Sequence, residues 1–338
     1  MQRPSFIITI DTEGDNSWKR SGSYTTENAR YLPRFQELCE RHGLRPTYLT
    51  NYEMAIEPRF IEMARDAERR GWAEVGMHLH AWHSPPFEPR LSANDDRNHP
   101  YLIEYPIEVM QHKVSLLTDL LQDSFGHEIT SHRAGRWSFD AAYASVLVER
   151  GYLVDCSLTP HVTWASQRGD PSKAGGSDFR FAPSQAFRAS RHDVTQAGHG
   201  GLIEVPMTII PRLPLSHRAM PAFALRQRRV NGLAKRILPN DWLRPAPGNL
   251  ETMQRVLRRC LAEGRDYAMF MTHSSELMPG GSPYFPTSQH IERLYDMLDS
   301  LFGEVATGFD GVTLSDYARQ FRAGTAVTGI GPAPLSLG

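Results

Sequence analysis

The sequence is short of cysteine, of net charge and of long apolar runs, and each shortage argues against a class of protein. Its 338 residues include three cysteines, Cys39, Cys156 and Cys260, odd in number and far apart. That pattern speaks against a disulfide framework or a cysteine-rich zinc site and suggests a reducing compartment. The formal net charge of −1 argues against a general nucleic-acid binder. No stretch reaches the roughly 18 consecutive apolar residues of a spanning helix. Phe6–Ile10 is too short for the core of an export signal, and no small-residue cleavage site follows it. A cytoplasmic location is the expectation. What remains, 40% hydrophobic and 22% charged, is the balance of a globular protein long enough to bury a large core.

Short apolar runs alternate with stretches of helical spacing. Phe6–Ile10, Arg45–Thr50, Ala73–Met77, Glu128–His132, Leu153–Asp155, Leu202–Ile210, Tyr267–His273 and Glu304–Thr307 read as strands. Between them Glu27–Gly43, Pro58–Arg70, Ile107–Leu121, Ala141–Arg150, Leu250–Ala262 and Ser288–Phe302 read as helices. A last helix, Thr313–Phe321, is capped by Thr313 with Asp316 three residues on. Alternating βα units predict a mainly parallel sheet. The expected fold is a single irregular (β/α)7–8 barrel over residues 1–322, with inserted loops at 84–105, 163–201 and 211–247. A flexible Gly/Ala/Pro-rich tail, 323–338, follows. Seven Lys/Arg lie between Arg212 and Arg236, with no acid until Asp241. Phe223, Val230, Leu233 and Ile237 fall at helical spacing there. Such a cationic amphipathic helix packs on a core or rests on an anionic membrane surface.

The polar residues gather at predicted strand ends. Glu74-Val-Gly-Met-His-Leu-His-Ala-Trp-His-Ser holds three of the fourteen histidines, His78, His80 and His83. In a strand His78 and His80 share a face, which favours them as a ligand pair over His83, the alternative. Asp11 and Glu13 follow the first strand, Arg133 the fourth, Asp155 a brief strand, and His273 the apolar run Tyr267–Thr272. In a parallel barrel those ends open on one side, so distant residues can meet. One carboxylate with two imidazoles makes a three-ligand metal site with room for water and substrate. A second carboxylate can act on that water as a base, and a separate histidine can protonate a leaving amine. The set describes metal-assisted hydrolysis.

Five of these stretches, in this order, resemble the motifs of the polysaccharide deacetylases with the NodB-homology domain, carbohydrate esterase family four. Ile10-Asp11-Thr12-Glu13-Gly14 is similar to the first motif, Gly76-Met-His78-Leu-His80 to the second, and His132-Arg133-Ala-Gly135 to the third. Asp155 lies where the family has an acid, and Thr272-His273 resembles the fifth. The His-x-His-x-Trp and His-Ser-Ser-Glu-Leu runs look most like the subgroup of lipopolysaccharide and surface-polysaccharide biosynthesis. The sequence departs from the family in spacing its first acids as Asp-Thr-Glu and its histidines two apart, and in lacking the proline of the arginine motif.

The resemblance implies a distorted (β/α) barrel and a divalent metal ion, zinc foremost, held by Glu13, His78 and His80. It implies Asp11 as base, Arg133 orienting that base, His273 as acid, and Asp155 fixing the His273 tautomer. The implied activity is removal of an N-acyl group, acetyl by default, from a saccharide, nucleotide-linked or lipid-linked. A deformylase or amidohydrolase on a related sugar or small amide, and a silent carbohydrate-binding relative, are the alternatives. Trp82, Trp137, Trp164 and Tyr284 are candidates for stacking on sugar rings. The 212–236 segment is a candidate contact to an anionic lipid carrier or membrane surface.

Overall fold

The apolar runs become strands of one sheet because each is buried on both faces, a requirement that favours parallel pairing beneath helices. The structure, a computed structural model, describes residues 3–15, 24–170, 172, 176–213, 220, 224 and 226–324. Phe223, and the predicted tail from residue 325 onward, lie outside them. The strands are β1 (Ser5–Thr12), β2 (Pro46–Thr50), β3 (Glu74–Leu79), β4 (Ser131–Ala134), β5 (Val154–Asp155), β6 (Phe187–Arg188), β7 (Ile203–Glu204), β8 (Ile209–Pro211), β9 (Asn240–Trp242), β10 (Tyr267–His273) and β11 (Asp310–Val312). The main sheet runs β10-β1-β2-β3-β4-β5-β7-β6. Its pairings are parallel except that of β6 with β7. β11 lies against Ser5–Ile7 of β1, and β2 takes over from Ile8. β8 and β9 form a separate antiparallel ribbon.

Strand alternation divides the interior into two cores. Phe6, Ile8 and Ile10 of β1, Val75, Met77 and Leu79 of β3, and Ala268 and Phe270 of β10 face the helices. These are α1 (Leu32–Arg41), α2 (Pro58–Arg69), α3 (Ile107–Phe125), α4 (Ala141–Glu149), α6 (Leu250–Ala262) and α7 (Ser288–Gly308); α5 (Arg228–Ile237) lies in the basic segment, and α8 (Leu314–Arg322) turns Leu314, Tyr317 and Ala318 to the opposite side of the sheet. The intervening residues Ile7, Leu49, Val154, Tyr267, Met269 and Met271 make an inner core with Val205, Met207 and Ile209. The sheet is thus curled into a half-barrel of the distorted (β/α) type. The gap between β7 and β10 is bridged without a strand. Met269 N donates to Thr208 Oγ1 (2.8 Å), Tyr267 Oη to the Pro206 carbonyl (2.6 Å) and Met271 N to the Leu243 carbonyl (3.2 Å). The expected strand Leu202–Ile210 is interrupted on the sequence by Pro206, which has no N–H to offer a ladder, and the run divides there into β7 and β8.

Two other segments differ from expectation. Glu304–Thr307 is the last turn of α7, and the closing strand is β11 beyond it. Thr313 does cap α8, accepting from Asp316 N at 3.2 Å. In the basic segment, α5 buries Asn231 and Ala234 and leaves Leu233 and Ile237 exposed at 57% and 58%. The inward face is set partly by a polar contact, Asn231 Nδ2 to Ser166 Oγ at 2.8 Å, which apolar spacing does not reveal. No described helix is long and apolar enough to cross a membrane.

Lys113 of α3 is buried and donates to the carbonyls of Ser84 and Pro86, both at 2.6 Å, so it holds the loop after β3. Burial brings its pKa down from the ordinary 10.5 to about 8. Between those values the unfolded chain keeps a proton that the folded chain has released, so stability gains with rising pH; below about 8 the amine adds no slope. Urea unfolding across that window is expected to give a steeper rise with pH for the wild type than for Lys113→Met. Equal slopes would show that this amine titrates normally.

Candidate metal centre and active site

Parity along the strands brings the polar groups to the inner face. On β1 it passes from Ile7 through Thr9 to Asp11, and on β10 from Met269 through Met271 to His273. Asp11 and His273 are register partners, as are His78 and Arg133 across β3 and β4. Gly76 is the inward residue that leads to His78 and His80. A Cβ there would lie 2.3 Å from Ser131 Oγ and 2.8 Å from Leu49 Cδ2, so the interior has room only for glycine.

Glu13, His78 and His80 offer ligand atoms that all lie within 4.8 Å of one another. His80 Nε2 is 2.9 Å from Glu13 Oε2 and 3.0 Å from His78 Nε2, and His78 Nε2 is 3.9 Å from Glu13 Oε2. Tetrahedral zinc with bonds of about 2.0–2.1 Å spaces its donors about 3.3–3.4 Å apart, so one carboxylate and two imidazoles fit a divalent ion with little movement. His78 Nδ1 lies 2.9 Å from the Arg133 carbonyl. Donation there leaves the Nε2 lone pair for a metal. Burial lowers the His78 pKa to about 4 despite the nearby carboxylates, which keeps the ring neutral, as a ligand must be. Glu13 is held through its backbone. Its N–H donates to Ser274 Oγ (3.1 Å), and its carbonyl accepts from Asn28 Nδ2 (2.6 Å) and Ser274 Oγ (3.0 Å).

Beside this group lies a second set. Arg133, wholly buried, donates through Nη1 to Asp11 Oδ1 (2.5 Å) and through Nη2 to Thr9 Oγ1 (2.7 Å). Burial alone would raise the Asp11 pKa; the Arg133 guanidinium, with His78 and His273, outweighs it and holds the carboxyl well below its usual range. Asp11 Oδ2 is 3.9 Å from His78 Nε2 and 3.7 Å from His273 Nε2. It therefore sits between the candidate metal ligands and His273.

His273 is braced by residues that strand-end reasoning overlooked. Glu276 Oε2 lies 3.4 Å from His273 Nδ1 and accepts from the His273 N–H (2.9 Å) and from Thr272 Oγ1 (2.9 Å). Arg244 Nη2 donates to Glu276 Oε1 (2.7 Å) and lies 3.1 Å from His273 Nδ1. Burial and Arg244 disfavour the imidazolium, but Glu276 and Glu13 prevail and His273 stands above its ordinary pKa. Glu276 had a signal in the sequence, an acid three residues after the histidine in a one-turn helix. Arg244 had none.

Asp155, expected to fix the His273 tautomer, is elsewhere. It is the register partner of His132, and both point outward, away from His273. His132 Nδ1 lies 2.5 Å from Asp155 Oδ1, and Nε2 lies 2.8 Å from the Tyr143 hydroxyl of α4. The cause is parity: Val154 takes the inward position on β5, so its neighbour cannot. Burial and the Asp155 charge push the adjacent Glu204 carboxyl well above its usual range, which makes this a buried polar cluster behind the sheet. His83 also stands apart, with Nδ1 3.4 Å from Glu53 Oε1. Of the aromatic candidates, Trp137 and Trp164 stack on each other at 6.4 Å with an 8° tilt, Tyr284 is 43% exposed, and Trp82 borders His80.

No protein-family model matches the sequence, and neither does any curated protein. Solved structures do match in shape. A provisionally assigned polysaccharide deacetylase from Mycobacterium smegmatis aligns over 98% of this chain and 96% of its own, with TM-score 0.53 and 14% identity. A provisionally assigned glycoside hydrolase/deacetylase from Parabacteroides distasonis aligns over 95% of this chain and 72% of its own, with TM-score 0.55 and 11% identity. A 4-alpha-glucanotransferase from Thermococcus litoralis aligns over 95% of this chain and 41% of its own, with TM-score 0.54 and 14% identity. At these identities the likeness is one of fold, and chemistry must be argued from the side chains.

Proposed function

We propose that this protein is a metal-dependent hydrolase that removes an N-acetyl group from a saccharide. The observation that carries the reading is the buried Glu13–His78–His80 group next to a separate carboxylate and a separate histidine, Asp11 and His273, at the C-terminal ends of the parallel strands of a deacetylase-like fold. Carbohydrate binding alone would need no such base and acid. A divalent ion bound there, zinc by the donor set, supplies Lewis acidity toward the acyl oxygen and acidifies water.

The chain's own residues supply the proton transfers. Asp11 uses Oδ2, the oxygen not engaged by Arg133, to take the proton from the attacking water. Its depressed pKa makes it a weak base, so it depends on that water being acidified. Arg133 holds the carboxylate ionised and fixes its plane. His273 gives its Nε2 proton to the amine as the C–N bond breaks, while Glu276 rather than Asp155 faces its Nδ1.

The substrate we favour is a nucleotide- or lipid-linked N-acetyl sugar of surface-polysaccharide or lipopolysaccharide assembly in the cytoplasm. Exposed Leu233 and Ile237 beside Arg229 and Arg236 suit a peripheral contact with an anionic lipid carrier or membrane surface. Unchanged binding to anionic vesicles after Arg229→Glu/Arg236→Glu would remove that part of the reading. The whole proposal is tested by metal analysis and acetate release on a panel of N-acetyl sugars, free, nucleotide-linked and lipid-linked. One ion per chain, loss of acetate release with chelator and recovery with zinc are expected. A protein that binds no metal and releases no acyl group would refute the proposal.

A further inference from the structure

The two candidate ligand histidines differ in what stands behind them. His80 Nδ1 is buried with no hydrogen-bond partner among the described residues. His78 Nδ1 lies 2.9 Å from the Arg133 carbonyl, and the peptide group that carries this carbonyl also carries the Ala134 N–H. That N–H donates to Ser157 Oγ at 2.8 Å, and Ser157 Oγ donates to Asp155 Oδ1 at 2.8 Å. His132 Nδ1 meets the same carboxylate oxygen, and the Ser157 N–H donates to Oδ2 at 2.8 Å. A chain of hydrogen bonds therefore leads from a candidate metal ligand on the inner face to a carboxylate behind the sheet.

Every link points the same way. His78 donates, one peptide group accepts at its oxygen and donates at its nitrogen, and Ser157 accepts and then donates. His78, Arg133, Ala134, Ser157 and Asp155 are all buried, which leaves a charge at the far end little screened. Burial works against that charge, but His132, Glu204 and the Ser157 N–H outweigh it and hold the Asp155 carboxyl below its usual range. Glu204, pushed well above its own range, keeps the proton of the pair. A negative charge at one end polarises the bonds of such a chain in turn, by about 10–30% per bond. At the other end it draws on the Nδ1 proton and raises the electron density at Nε2, the atom that faces Glu13 and His80.

We propose that Asp155 and Ser157 are positioning residues for the metal centre: through the Arg133–Ala134 peptide they fix the His78 ring and strengthen its Nε2 as a donor. The effect on metal binding rests on the deacetylase reading, whereas the hydrogen-bond chain does not.

The test follows Ser157→Ala, which removes the middle hydroxyl. In metal-free protein labelled with 15N-histidine, the His78 Nδ1–H resonance, assigned by its loss in His78→Gln, should move upfield as its hydrogen bond weakens. Zinc affinity, read by competition with a fluorescent chelator, should fall about tenfold, the low end for a lost outer partner of a metal-bound histidine. Asp155→Asn keeps an acceptor and removes the charge, and should move both readouts the same way by less. Thr118→Val deletes another buried hydroxyl behind β3, 3.8 Å from Met77 Sδ, and should leave both unchanged. Urea unfolding checks that each variant is folded during the measurements. An unmoved resonance in Ser157→Ala, an unchanged zinc affinity, or an equal loss in Thr118→Val overturns the proposal. If Ser157→Ala does not fold, Asp155→Asn carries the same decision. A wild type that takes up no zinc removes the deacetylase reading, and the resonance alone then decides the chain: a shift keeps it and no shift overturns it.

Discussion

Asp11→Asn is expected to lower acetate release by about 10³-fold or more, the scale of a lost general base, while the protein still carries its metal. Asp11 stands outside the Glu13–His78–His80 group, so the ligand set survives. Asparagine keeps the shape and can still accept from Arg133, but an amide has no useful affinity for a proton. Metal analysis together with an acetate assay reads both halves of the expectation. Substantial turnover in the variant would remove Asp11 as the base. Loss of metal with loss of activity would instead assign the carboxylate to the ligand set. The assay belongs well below the variant's melting temperature, because the substitution leaves Arg133 buried without its counter-charge.

The largest effect on stability is expected from Arg133→Met. Arg133 and Asp11 are both buried and bonded to each other at 2.5 Å. Removing one member of such a pair costs about 3–5 kcal/mol, chiefly because the other charge is left uncompensated. Here Thr9 Oγ1 and the Cys156 carbonyl also lose a donor. The folded-state pKa of Asp11 is depressed, so the pair's stabilisation is fully present above the ordinary carboxylate value of 3.8 and is lost as pH falls through the lower folded value. Denaturant unfolding of both single variants and of Asp11→Asn/Arg133→Met completes the cycle. The double variant should be markedly more stable than the summed losses require. Additivity within about 0.5 kcal/mol would show that the two residues do not act as a unit.

The strand ends were legible because two-residue periodicity is local. Asp11 with Glu13, and His78 with His80, share a face in any extended chain, and the apolar runs before them mark where that chain is buried. The same periodicity, carried one strand further, would have warned against Asp155, since Val154 holds the inward place on β5. That reasoning needs the register of β5 against β4, and register is a property of the pair. The Glu304–Thr307 segment misled for a related reason. Four residues are too few for period to separate the last turn of a helix from a strand, and the long apolar face of α7 decided it.

By itself, then, the sequence determined which residues could ligate, accept or donate protons, and on which face of each strand they stood. It also carried the alternation that obliges a mainly parallel sheet. Only the tertiary structure decided which of those residues meet. Register across β1 and β10 put His273 opposite Asp11, and Arg244, from the 211–247 insertion, came round to Glu276. The loop after β3 folded Trp82 and Phe87 into a cavity beside His80. The first two of these contacts join residues tens to hundreds of positions apart, and the geometry of all three depends on packing, for which no local pattern of side chains is a substitute.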